Sequence, residues 1–125
     1  MLYDPDCGFC RWSLSQLLAL DRRRVLRPVA LGSAEADKLL GDLTPEQRAG
    51  SWHLVAPDGR RWSAGAAAPP LLRLLPGGRA PATLLARAPR ATERTYRWVA
   101  DHRSWFSRLI PDQWKARADA RIDAA

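Results

Sequence analysis

The chain has 125 residues, 46% of them hydrophobic and 26% charged, which suits a single domain that buries roughly two-thirds of its unfolded surface. No apolar run approaches the roughly 20 residues that span a bilayer, no signal peptide is visible, and two cysteines are too few for a secreted disulfide scaffold, so a cytoplasmic, reducing setting is expected. The net charge is +7, but the arginines are spread along the chain and the one run of three, Arg22 to Arg24, falls where a helix should end and suit its dipole; nucleic-acid binding is not expected.

Met1 to Tyr3 reads as the end of a buried strand. The stretch Tyr3-Asp4-Pro5-Asp6-Cys7-Gly8-Phe9-Cys10 follows and holds both cysteines. Cys10, Leu14, Leu17 and Leu18 then share one face of a helix expected from about Gly8 to Arg22. Strand, tight turn, C-x-x-C and helix make up the layout of a thioredoxin-like redox site. The nucleophile is a thiolate, and unpaired N–H groups at a helix N-terminus stabilise it. Cys7, at the tip, is the candidate attacking thiol. Cys10, one turn inside, is the candidate resolving thiol. The dithiol is itself the redox centre, so no cofactor is implied. Zinc would need four ligands, and the only histidines, His53 and His102, lie in different elements; no metal is expected.

Asp6 is placed to cap the helix by accepting from the Phe9 N–H. Asp4, at the strand end, is a candidate proton relay for Cys10, with turn chemistry as its simpler role. Both carboxylates oppose the thiolate, while Arg11 can offset them if it reaches back. A mild depression of the Cys7 pKa below about 8.5 is therefore expected, with reductant behaviour favoured over oxidant. Trp12 and Phe9 are the candidate walls of a substrate groove; packing of Trp12 on the adjacent loop is the alternative.

Val25 to Leu31 reads as a second strand, interrupted by Pro28 and so suited to a sheet edge. Ser33 opens a short helix ending at Gly41, and Thr44-Pro45-Glu46-Gln47 has the capping-box form. Trp52 to Val55 and Arg60 to Ser63 are the third and fourth strands, joined by Pro57-Asp58-Gly59. A helix follows through Leu71 to Leu75. The expected fold is α/β: a thioredoxin-like four-stranded mixed sheet, order 2-1-3-4, flanked by helices. Its core spans about residues 1–78, a helical extension about 79–112, and a frayed or disordered tail 113–125. Within the extension, Pro81 to Arg87 is a short helix and Thr92 to about Leu109 a single long one. His53 reads as a packed histidine, and His102 as packed against Trp98 and Trp105. Most of the six tryptophans are expected in the core, with an aromatic patch on the C-terminal helix as a candidate protein-docking surface.

Asp4-x-Asp6-Cys7-x-x-Cys10 after a strand resembles the signature of the DCC family, which is thiol-disulfide oxidoreductase-like. Pro5 stands where that family carries Gly. Ser51-Trp52-His53-Leu54-Val55 with Asp58-Gly59-Arg60 is similar to its hairpin. Gly65-Ala66-Ala67-Ala68 sits where it has Gly-x-Asp-Ala, and Tyr96-Arg97-Trp98-Val99-Ala100 with Arg103 is similar to its C-terminal helix. The resemblance implies a thioredoxin-like enzyme acting on a protein or small-molecule disulfide or thiol. Thioredoxins carry a cis-proline before the third strand, where Gly50-Ser51 stands here, so the usual capture of extended substrate is in question. The competing reading is a redox-inert basic interaction module that docks a partner through its Trp-bearing C-terminal helix. One exposed and one buried sulfur would favour the enzyme.

Overall fold

A computed structural model describes residues 1–125. Four short strands, β1 (Leu2–Tyr3), β2 (Val29–Ala30), β3 (His53–Val55) and β4 (Arg61–Ser63), form one mixed sheet in the order β2-β1-β3-β4. β1 runs parallel to β2, with Leu2 opposite Val29, and antiparallel to β3, with Leu2 opposite His53. β3 and β4 form an antiparallel hairpin. This is the thioredoxin-like α/β architecture expected from the sequence.

Alternation along β1 sorts the core into two layers. Met1 and Tyr3 join Leu14, Leu54, Leu71 and Ile122 in the larger cluster. Leu2, between them in sequence, packs instead with Val29, Ala36 and Leu40. The larger layer is built on α1 (Gly8–Leu20), the smaller on α2 (Ala34–Leu39). Ser33 caps α2, and Thr44 and Gln47 form the expected capping box on α3 (Pro45–Ala49).

The second strand is much shorter than Val25 to Leu31. Pairing starts only after Pro28, where Val29 N donates to Met1 O and Leu31 N to Tyr3 O, both at 2.9 Å. The preceding segment is held by Asp21 instead. Its buried carboxylate accepts from Val25 N at 3.2 Å and Leu26 N at 2.7 Å. Asp21 also ends α1 at Leu20, so Arg22 to Arg24 lie beyond the helix rather than on its last turn.

A 3-10 turn (Ala64–Ala67) leads into α4 (Ala68–Arg73), then α5 (Arg79–Arg87), α6 (Pro89–Asp101), α7 (Arg103–Leu109) and α8 (Asp112–Asp123). Gly65 is required by a close approach. A Cβ there would lie 2.7 Å from Glu93 Cα, and its N–H donates to Glu93 Oε2 at 2.8 Å. Ala67 is buried in the larger core layer, where an unpaired carboxylate would carry a heavy desolvation cost.

Three expectations for the C-terminal part are corrected. The single helix from Thr92 to Leu109 is broken at His102, whose Nδ1 lies 2.6 Å from Trp98 O. The histidine side chain takes a carbonyl of the preceding turn, and the helix is interrupted at His102, whose φ and ψ of −103° and 11° are not helical. The tail is not frayed: α8 packs along α1, burying Ala118 and Ile122, with Arg121 Nη1 donating to Ser15 O at 3.2 Å. None of the six tryptophans is buried; Trp98, Trp105 and Trp114 are 55%, 52% and 46% exposed. Leucine and alanine fill most of the small core, and Trp52 and Trp62 pack half-buried against its edge. His53, by contrast, is fully buried between Ser63 Oγ at 2.6 Å and Arg48 O at 3.0 Å, and burial lowers its pKa. No helix is long and apolar enough to cross a membrane.

Candidate active site

The C-x-x-C turn is set by its own residues. Cys7 N donates to Asp4 O at 3.3 Å, closing a β-turn with Pro5 at its second position, where a φ near −65° is already required. Asp4 Oδ1 reinforces the turn by accepting from Asp6 N at 2.9 Å. Asp6 is thereby left exposed and does not cap α1. That corrects the expected Asp6–Phe9 bond. Cys7 is the N-cap: its Sγ accepts from Cys10 N at 3.3 Å. Phe9 N donates instead to Ser107 Oγ at 2.9 Å.

The α6–α7 break brings two further groups to the sulfurs. Arg103 opens α7, with Nη1 3.6 Å from Asp4 Oδ2, and Ser107 lies one turn later. Cys7 is pulled down from 9.0 to about 6, chiefly by the hydrogen bond from the Cys10 thiol; the Cys10 N–H, Arg103 and Ser107 add to this, and burial opposes it. Cys10 is raised, first by its bond to Cys7, then by burial and by the negative charge on Cys7, with Arg103 opposing. The depression at Cys7 is thus stronger than the mild one expected. Arg11 is not its source, because it pairs with Asp119 at 3.4 Å; the cation at the site is Arg103. Both cysteines are partly exposed, Cys10 the deeper, so the expected contrast of one exposed and one buried sulfur is only partial.

A cavity of about 420 Å³ opens beside Cys10. Asp4, Phe9, Cys10 and Trp12 all line it, together with Tyr96 and Arg103 from the C-terminal helices, whereas Cys7 and Asp6 lie outside its lining. The segment Gly50-Ser51-Trp52 forms another wall. No peptide bond there is cis, and the Trp52 N–H is already taken by Tyr96 Oη at 2.9 Å. Sequence reasoning passed over Tyr96, Arg103 and Ser107 as site residues. For Tyr96 and Arg103 the likeness of the C-terminal segment to the DCC pattern was an available signal. For Ser107, 98 residues from its partner Phe9, there was none.

A family model for the DCC1-like thiol-disulfide oxidoreductases matches residues 1–109. The chain belongs to the DCC1-like thiol-disulfide oxidoreductase family. No curated protein and no solved structure matches it. The DCC1-like match takes in both cysteines, Arg103 and Ser107, and ends before α8. Two neighbouring thiols at a helix tip are the chemistry that the DCC1-like family name states.

Proposed function

We propose that the protein is a thiol-disulfide oxidoreductase in which Cys7 attacks and Cys10 resolves. The Cys7 thiolate attacks one sulfur of a substrate disulfide, and the other sulfur departs as a thiolate. A mixed disulfide with Cys7 results. Cys10 then loses its proton and its sulfur attacks the Cys7 sulfur. The second substrate thiolate leaves, and the Cys7–Cys10 disulfide forms. Two electrons pass to the substrate, and an external thiol returns the pair to the dithiol. The observation that carries this reading is the asymmetric geometry of the two thiols. Cys7 is the N-cap of α1, its Sγ accepting from Cys10 N at 3.3 Å, while Cys10 lies one turn inside and lines the cavity. The lowered Cys7 and raised Cys10 agree with it.

The same asymmetry orders the steps. While Cys7 is a thiolate, the bond it receives and its negative charge keep Cys10 protonated. Once Cys7 is in the mixed disulfide, both effects vanish, and Cys10 becomes easier to ionise when it is needed. Asp4 lines the same cavity and its charge acts on Cys10, which makes it the group we assign to receive that proton. A thiolate near 6 stabilises the reduced form, so the disulfide is a better oxidant than the sequence alone implies. The substrate is a protein or small-molecule disulfide, and a cytoplasmic setting goes with this reading.

The second reading, a redox-inert module docking a partner, has one observation in its favour: Trp98, Trp105 and Leu109 stand exposed on α6 and α7. Turnover separates the two. With a model disulfide and excess thiol reductant, the wild type turns over and Cys7→Ser does not. Equal rates for the two proteins would overturn the enzymatic reading.

A further inference from the structure

We infer that the cavity beside Cys10 is a recognition pocket for an uncharged aromatic group carried on the substrate's sulfur, so that the site prefers aromatic disulfides to charged ones such as oxidised glutathione. The inference rests on the thiol-disulfide reading above and names its substrate class. At about 420 Å³ the cavity lies within the range of small-molecule sites, roughly 300–1,000 Å³.

Its walls select for an apolar, aromatic occupant. Two stacked ring pairs from different elements line it: Phe9 with Trp12, centroids 6.3 Å apart, and Trp52 with Tyr96, 5.5 Å apart. Such faces and edges favour another ring. Several polar groups on these walls are spent within the protein. Tyr96 Oη accepts from Trp52 N, Trp52 Nε1 donates to Ala64 O, and Thr95 Oγ1 donates to Ala91 O. The two charged side chains of the lining, Asp4 and Arg103, face each other as an ion pair. An occupant bearing carboxylates or an ammonium would lose its hydration there and find no unpaired opposite charge in the lining.

The position relative to the thiols fits the two-step chemistry. Cys10 lines the cavity and Cys7 does not. An aryl group left on Cys7 by the first step can therefore lie in the pocket over Cys10. The first thiolate leaves toward solvent. Cys10 then gives up its proton, bonds to the Cys7 sulfur, and releases the aryl-bearing sulfur as the second thiolate. The substrate gains two electrons, and added dithiothreitol restores the dithiol.

Two measurements test this separately from the redox reading. In the Cys7→Ser/Cys10→Ser protein, which has no redox chemistry, benzyl methyl sulfide should shift the indole N–H resonances of Trp12 and Trp52 saturably, and Val99→Trp should abolish the shift. In the wild type, kcat/KM for dibenzyl disulfide should exceed that for oxidised glutathione at least about tenfold, the scale on which an apolar pocket discriminates. Val99→Trp, checked for folding by its thermal melt, should reduce that ratio to near unity. Turnover of both disulfides at similar kcat/KM, with no resonance shift in the double variant, would overturn the pocket and leave the redox reading standing. Saturable benzyl methyl sulfide binding without turnover of either disulfide would uphold the pocket as an aromatic site and overturn the redox reading instead.

Discussion

The Phe9 amide donates to Ser107 Oγ at 2.9 Å across 98 residues of sequence. The first turn of α1 and the second half of the C-terminal extension are thus one site. Ser107 accepts from the backbone and keeps its own hydrogen to donate to Cys7, whose pKa it lowers. Ser107→Ala should raise the Cys7 pKa above about 6, read from the ultraviolet absorbance of the thiolate against pH. The orphaned Phe9 N–H should also cost about 1 kcal/mol in denaturant unfolding. An unchanged titration would remove Ser107 from the account of the thiolate.

Arg103 is the cation of the site, and its effect is one of charge. Arg103→Gln should raise the Cys7 pKa, and Arg103→Lys should recover most of the wild-type value. Asp6→Asn should leave the Cys7 titration where it was, because Asp6 points to solvent and takes no part in the cap. A fall in the Cys7 pKa in Asp6→Asn would restore the purely sequence-based electrostatics.

Stability of the reduced protein should follow the two thiols in opposite directions. Cys7 has a depressed folded-state pKa, so its contribution is present above the unfolded value of 9.0 and is lost as pH falls through about 6. Cys10 is raised, so its contribution is present below the unfolded value and is lost as pH climbs above it. Tm should therefore rise from about 6 toward 9.0 and fall beyond. Removing Cys7 with Cys7→Ser should flatten the rising limb and also weaken the falling one, because the bond to Cys7 is the largest cause of the raised Cys10 and burial is then the main effect left to oppose its ionisation. Differential scanning calorimetry under reducing conditions reads both.

α8 should behave as part of the fold. Ile122→Ala removes a buried side chain of the larger core layer and should cost roughly 2–5 kcal/mol. Gly65→Ala should cost roughly 1–3 kcal/mol through overpacking against the α6 backbone, since its Cβ would meet Glu93 at 2.7 Å. Chemical denaturation of each variant tests these values, and a neutral Ile122→Ala would return the tail to the frayed state read from its composition.

The features legible in the sequence were the locally encoded ones. The buried strand at Met1 to Tyr3, the capping box at Thr44 and the turn at Asp58-Gly59 are each encoded within a few residues, and the sheet order follows from the strand-helix-strand then hairpin-helix pattern of a thioredoxin-like fold. Pro28 marked the edge strand, although its missing N–H shortened β2 to two residues. The C-terminal helices were harder because His102 breaks a pattern that apolar periodicity carries straight through. That break also decides the site, since it turns Arg103 and Ser107 toward α1. Charges adjacent in sequence misled in the same way. Arg11 and Asp6 neighbour the cysteines in the chain, but Asp119 and the Asp4 turn hold them elsewhere.

Trapping of the mixed disulfide tests the assignment of the two cysteines most directly. Cys10→Ser and Cys7→Ser proteins are each exposed to a disulfide substrate and analysed by intact-mass spectrometry. Cys10→Ser should accumulate a mixed disulfide at Cys7, because its thiolate forms near pH 6 and nothing remains to resolve the adduct. Cys7→Ser should be modified far less at neutral pH, because Cys10 is the deeper sulfur and burial still opposes its ionisation when the Cys7 thiolate is gone. Equal trapping by both variants, or trapping through Cys10 alone, would contradict the account.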